Sequence, residues 1–269
     1  MFSTGGAAIK TDAFSAMQIA SIRSGIAAAV LLLCFRDRAR WSLPAAAVGI
    51  VYAATLVLFV AATKLTTAAS AIFLQSTAPL YVALLGPVLV AERLRARDIG
   101  ILVAVVVGLA LCLAGGAETT RTAPDPWTGN LLGAMCGATW ALTLMGLRWG
   151  ARTHPDLAIS AVVTGNLFAC LAGAPALWPL PAPPAVEWAT LVYLGVFQIG
   201  VAYILLTSAM GELPALQVSL ILLLEPALNP LWAWLVRGEA PGVWALFGGM
   251  VILAASGTKA FMDAAGEEA

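Results

Sequence analysis

Two stretches of this chain are copies of each other at an offset of 147 residues: Gln75-Ser-Thr-Ala-Pro79-Leu-Tyr81 leading to Glu92, and Leu222-Leu-Leu-Glu225-Pro226-Ala-Leu228 leading to Glu239. Pro79 falls on Pro226, Glu92 on Glu239, Ala62 on Ala209, Ala68 on Ala215 and Leu84 on Leu231. Each copy holds an apolar run long enough to cross a bilayer, with a proline near its middle and a glutamate just beyond its end. Self-similarity on that scale marks a duplicated membrane unit.

Composition agrees. Hydrophobic residues are 61% of the chain and charged residues 10%, against about 45–50% and about 25% in ordinary soluble domains. Apolar segments fall at 1–9, 14–35, 44–63, 67–91, 99–115, 128–147, 157–178, 188–210, 214–236 and 243–261. All but the first are long enough to cross about 30 Å of hydrocarbon at about 1.5 Å per residue. Gly133-Ala-Met-Cys-Gly137 gives the sixth segment a small-residue face suited to close packing inside a bundle. Cys34, Cys112, Cys136 and Cys170 lie in four separate segments without a C-x-x-C pair, and read as small core residues.

The connections after the second, fourth and sixth segments carry Arg36, Arg38, Arg40, Arg93, Arg95, Arg97, Arg148 and Arg152, and the C-terminal tail adds Lys259. The opposite connections hold Lys10, Lys64, Arg121 and Arg237. The positive-inside rule then places the even-numbered loops and the C-terminus in the cytoplasm of a multi-pass protein of the cell (inner) membrane. With five spans per repeat the halves have opposite orientations, as in many secondary transporters. Aligning Lys10 with Arg148 leaves residues 128–139 without a counterpart before Met1. The first helix is therefore expected to be truncated, through a start placed too late in preference to a genuine half-helix.

Phe2-Ser-Thr through Ala8-Ile-Lys10, Ile22-Arg23 with Ala27, Ala78-Pro79-Leu with Glu92, and Leu224-Glu225-Pro226 followed by Gly238-Glu239 together resemble the EamA-type family of the drug/metabolite transporter superfamily. The resemblance runs the length of the chain except for the missing start. It implies an all-α polytopic membrane protein of ten transmembrane segments in two inverted five-helix repeats. The first repeat is expected over 1–115, a connecting loop over 116–127, the second repeat over 128–261 and a cytoplasmic tail over 262–269. It also implies movement of small metabolites or drugs, often outward.

Glu225 lies about midway along the ninth segment. Charge at that depth costs from about 2.5 to more than 10 kcal/mol, so its carboxyl should be protonated, paired or turned to a wet cavity. Pro226 and Pro230 lack the N–H that would bond the carbonyls of Leu222 and Pro226, leaving polar backbone beside the carboxyl; Pro79 is the helix-breaking counterpart in the first half. Arg23 lies some way inside the second segment. It has three readings: an ion pair with Glu225, a fork for a substrate carboxylate, or a side chain snorkelling to the outer interface. Gln75 and Tyr81 on the fourth segment, Trp140 and Thr143 on the sixth, Gln198 on the eighth, and Asn229 and Trp232 on the ninth would complete a cavity with aromatic walls and few polar groups. For each of these alone, packing against lipid or a neighbouring helix competes. Trp178, Trp234 and Trp244 read as interface anchors.

A net charge of zero and a single histidine, His154, argue against nucleic acid. No G-x-x-x-x-G-K-[ST], H-E-x-x-H or G-x-S-x-G is present, so the expectation is no enzyme, no catalytic residue, no cofactor and no metal. The partners are a small-molecule substrate and the lipid bilayer, with protons and a second copy of the chain compatible with the pattern. The expected function is secondary transport of small amphiphilic metabolites, such as an amino acid, a related amine or a drug-like compound, by alternating access. The rivals are a membrane-embedded enzyme or assembly factor for lipid-linked substrates, and a non-transporting scaffold.

Overall fold

The computed structural model describes residues 2–78, 81, 85, 96–114, 120–154, 156–205, 224–238, 240 and 242–267. Pro79, Glu92 and Glu239 lie outside the described residues, as do 206–223 of the eighth and ninth segments.

Among the described residues the helices are α1 (Gly5–Ile9, after a 3-10 turn Phe2–Thr4), α2 (Ala16–Phe35), α3 (Leu43–Leu65), α4 (Ala68–Gln75), α5 (Ala96–Ala114), α6 (Pro126–Thr153), α7 (Leu157–Gly173), α8 (Ala185–Tyr193), α9 (Leu224–Arg237) and α10 (Val243–Glu267). A π-helical stretch, Leu194–Val201, continues α8. Among the described residues five helices are long and apolar enough to cross a membrane: Ala16–Phe35, Leu43–Leu65, Pro126–Ala151, Leu157–Leu177 and Ala185–Leu205.

Hydroxyl and carboxylate caps start several of them. Ser15 Oγ accepts from Gln18 N while Gln18 Oε1 accepts from Ser15 N, a reciprocal box that closes two otherwise orphaned donors. Ser42 caps α3, with Pro44 in the first turn, and Thr67 caps α4. Asp125 caps α6 just ahead of Pro126. The hydroxyl and N–H of Thr128 hold the exposed Asp125 carboxyl below its ordinary value. This cap therefore contributes above the unfolded carboxyl's value and is lost as pH falls through the folded one.

α3 packs on α6 and α7, α2 on α7 and the π-helical stretch, α5 on α10, and α4 on α6. Arg121 bonds Asp12 at 2.6 Å, Lys10 Nζ donates to Thr66 O at 2.6 Å, and Asp125 N donates to Leu65 O at 3.1 Å. These contacts gather the start of α2, the end of α3 and the start of α6 at one end of the bundle. At the other end Arg40 N donates to Ser160 Oγ at 3.0 Å. Hence α2 and α6 run one way, and α3 and α7 the other. The outward faces are apolar: Leu33, Ile50, Leu131 and Leu171 are all exposed, as suits lipid. Trp178, Trp234 and Trp244 are also exposed. The cysteines divide. Cys136 is buried as expected, but Cys34 is exposed near the end of α2, since that turn faces outward with Leu33.

Gly133 and Gly137 do serve packing within the chain, where α6 crosses α4. A Cβ on Gly137 would stand 2.6 Å from Thr77 Oγ1 and 2.7 Å from the Leu74 carbonyl oxygen. The carbonyl belongs to backbone and cannot swing aside. Gly137→Ala is therefore expected to destabilise by about 1–3 kcal/mol, read as a lower Tm of the detergent-solubilised protein. Gly100→Ala, with nothing within 4 Å of the added carbon, should leave Tm unchanged or slightly raised.

Candidate functional site

Arg23, on α2, is 1% exposed and points into the bundle. It does not snorkel, because the face of α2 that carries it also carries Ala20, Ser24 and Ala27, all buried against neighbouring helices. α3 contributes Tyr52, Thr55, Leu56 and Phe59 at the i, i+3, i+4, i+7 spacing of one helical face.

The π-helical stretch brings in the next polar group. A Cβ on Gly195 would meet the Arg23 carbonyl oxygen at 2.8 Å, and one on Gly200 would meet Val30 Cγ1 at 3.0 Å. These glycines let the stretch lie directly on α2. Gln198, between them, reaches the guanidinium: Arg23 Nη1 donates to Gln198 Oε1 at 3.3 Å, and Nη2 donates to the Leu56 carbonyl at 3.0 Å. Such wide turns inside α-helices recur at functional sites.

Arg23, Tyr52, Thr55, Leu56, Phe59 and Gln75 from the first half of the chain and Trp140, Gln198, Ile199, Tyr203 and Glu225 from the second line one cavity of about 40 Å³. That is room for about three waters, at roughly 10–15 Å³ of centre-accessible space each; a metabolite with a sizeable side chain would need the walls to part. The Tyr52 and Tyr203 rings lie 5.1 Å apart, tilted by 57°. Several polar atoms around the cavity are buried without a hydrogen bond: Arg23 Nε, Gln75 Oε1, and the Tyr52 hydroxyl, which lies near Tyr203 and Asn166 without bonding geometry. Among the described residues Arg23 and Glu225 form no ion pair, and the Glu225 carboxyl takes no hydrogen bond.

Of the residues singled out from the sequence, Glu225, Arg23, Gln75, Trp140 and Gln198 thus meet at one cavity. Thr143 stands behind the wall, donating to Thr139 O at 2.8 Å and lying 3.2 Å from Thr55 Oγ1. Tyr81 does not join them; its hydroxyl donates to the Ala134 carbonyl of α6 at 3.2 Å. Asn229 is 1% exposed with both amide atoms unpaired, pressed against Gly6 of α1. The half-buried Trp232 leaves its indole N–H without a partner. Pro226 and Pro230 both lie within α9, which runs through them unbroken. Tyr52, Thr55 and Tyr203 were not singled out. Their signal was a polar face in the middle of apolar helices.

Comparison with known proteins places this architecture. The model of the EamA-like transporter family matches residues 1–114 and 127–257. A protein of Archaeoglobus fulgidus described as an uncharacterized transporter is 27% identical over 228 residues, covering 84% of this chain and 79% of the relative. A solved crystal structure at 21% identity superposes with a TM-score of 0.64 over 97% of this chain and 96% of its own, and so shares the fold. With the family model matched along nearly its whole length and apolar helices to cross the bilayer, this chain belongs to the EamA-like transporters and is a multi-pass membrane transporter.

Proposed function

We infer that the protein is a secondary transporter that exports small amphiphilic metabolites by alternating access around the cavity between its halves. The observation that carries this reading is the cavity itself: ionisable and polar side chains from α2, α4, α8 and α9 converge where a bundle packed only for stability would be apolar. A non-transporting scaffold would have no use for Arg23 and Glu225 there.

The contact pattern supports two inverted repeats. If α1–α5 correspond to α6–α10, a two-fold relation turns the α3–α7 contact into α8–α2 and the α4–α6 contact into α9–α1, and all four occur. α2 and its counterpart α7 run in opposite directions, as inversion demands. The end carrying Arg36, Arg38 and Arg40 is then the cytoplasmic one of a cell-membrane protein, with the Asp12–Arg121 end outside. The sequence holds no G-x-x-x-x-G-K-[ST] phosphate loop, so the energy source in this reading is an ion gradient or the substrate's own gradient.

The experiment that tests this is a metabolite-efflux profile of cells expressing the chain, with and without an uncoupler. One or more small amphiphiles should leave the cells faster than from controls, and an uncoupler should collapse their outward accumulation. A profile indistinguishable from that of cells lacking the chain would overturn the reading.

A further inference from the structure

We propose that Arg23, with the Tyr52 hydroxyl beside it, is a binding subsite for a substrate carboxylate, so that the substrates of this transporter carry a carboxylate and not an amine alone. The proposal rests on the transport reading above and narrows its substrate class.

Arg23 is buried to 1% exposure, and the groups it bonds, Gln198 Oε1 and the Leu56 carbonyl, are both neutral. A guanidinium carries more donors than these two bonds use, and Nε is buried without a partner. The described residues supply Arg23 with no carboxylate: the ion pair with Glu225 is absent although both line the same cavity. A buried cation left with neutral partners is costly in most proteins. Here it leaves an unspent positive charge facing a cavity.

The geometry suits a carboxylate better than other anions of the same charge. Gln198 and the Leu56 carbonyl fix the guanidinium plane, and a planar fork held in place binds a planar carboxylate through paired N–H donors. The Tyr52 hydroxyl, buried without a hydrogen bond on the same cavity, is a further donor for that group. Trp140 and the tilted Tyr52–Tyr203 pair offer apolar faces to the rest of an amphiphile. A substrate bearing only an ammonium group would meet Arg23 as a like charge, which disfavours it.

Binding to the full purified chain in detergent, read as a ligand-induced rise in Tm across a concentration series, tests this directly. The probes are the standard amino acids, each with its decarboxylated amine and its deaminated acid. At least one amino acid or deaminated acid should bind, and its decarboxylated amine should bind at least about tenfold more weakly, the scale of losing hydrogen bonds to a charged group. A deaminated acid binding as well as its amino acid would identify simple carboxylates as the class; weaker binding would identify amino acids. Arg23→Gln should lose the carboxylate ligands while amines are unaffected, and Arg23→Lys should recover part of the loss. The analogue series on the unmutated chain stands even if Arg23→Gln fails to fold. Amines binding as tightly as their parent amino acids, carboxylates unaffected by Arg23→Gln, or no carboxylate binding at all would each overturn the proposal. Transport and binding fail separately: efflux of amines alone would leave the transporter reading intact and remove this one, whereas carboxylate binding without efflux of any compound would do the reverse.

Discussion

Glu225→Gln is expected to insert and fold like the parent chain yet lose concentrative export. Glu225 lines the cavity and takes no hydrogen bond from the described residues, so replacing its carboxyl by an amide breaks no hydrogen bond to any of them. What it removes is the ability to take up and release a proton. A carboxylate that must be charged in one half of the cycle and neutral in the other is a coupling device, because charge at this depth in the bilayer is expensive and the proton relieves that expense. If proton exchange drives export through Glu225, parent efflux should depend on pH and collapse with an uncoupler. The Gln variant should only equilibrate substrate, at a rate insensitive to both. Arg23, Tyr52 and Tyr203 share the cavity, so the informative quantity is the difference between the two pH profiles, measured with labelled substrate in proteoliposomes. A Gln variant that concentrates substrate as well as the parent, with an unchanged profile, would show that Glu225 is structural.

The charged members of the cavity were legible in the sequence, and the rest of its wall was less so. Arg23 and Glu225 stand out because ionisable residues inside apolar runs require a reason, and both do turn to the cavity. Their relation was not legible. Whether two charges on separate helices meet is decided by helix rotation and depth, and here Arg23 bonds Gln198 and Leu56 instead. Tyrosine is ambiguous for another reason: its ring suits both an interface and a cavity wall. Tyr81 turns to Ala134, while Tyr52 and Tyr203 line the cavity. The better signal was the Tyr52, Thr55, Leu56, Phe59 face, whose helical spacing puts two hydroxyls on one line in the middle of α3. The π-helical turn at Leu194–Val201 had no propensity signature beyond Gly195 and Gly200, whose missing side chains matter only where the stretch lies on α2.

Cross-linking Asp12→Cys to Arg121→Cys is expected to abolish transport completely and reversibly. At this end of the bundle the loop between α1 and α2 is tied to its surroundings on several sides. Arg121 bonds Asp12 at 2.6 Å, Lys10 donates to the carbonyls of Thr66 and Thr122, and the Thr11 hydroxyl donates to Glu187 at the start of α8. Exposed ion pairs contribute about 0–1 kcal/mol each and neutral hydrogen bonds about 0.5–1.5 kcal/mol. Such a closure is worth only a few kcal/mol, which leaves an open form populated at roughly 0.1–10%. A gate of that strength can cycle, whereas a covalent bridge cannot. On a cysteine-free background, a membrane-impermeant bifunctional thiol reagent added outside intact cells should join the pair and stop export, and a reducing agent should restore it if the linker is cleavable. Each single-cysteine variant should transport before and after treatment, because losing one exposed ion pair costs little. Failure of the impermeant reagent to reach either cysteine from outside would invert the orientation argued above from the arginine-rich end. A fully cross-linked protein that still exports at the unlinked rate would show that this end does not open during the cycle, and alternating access through it would be untenable.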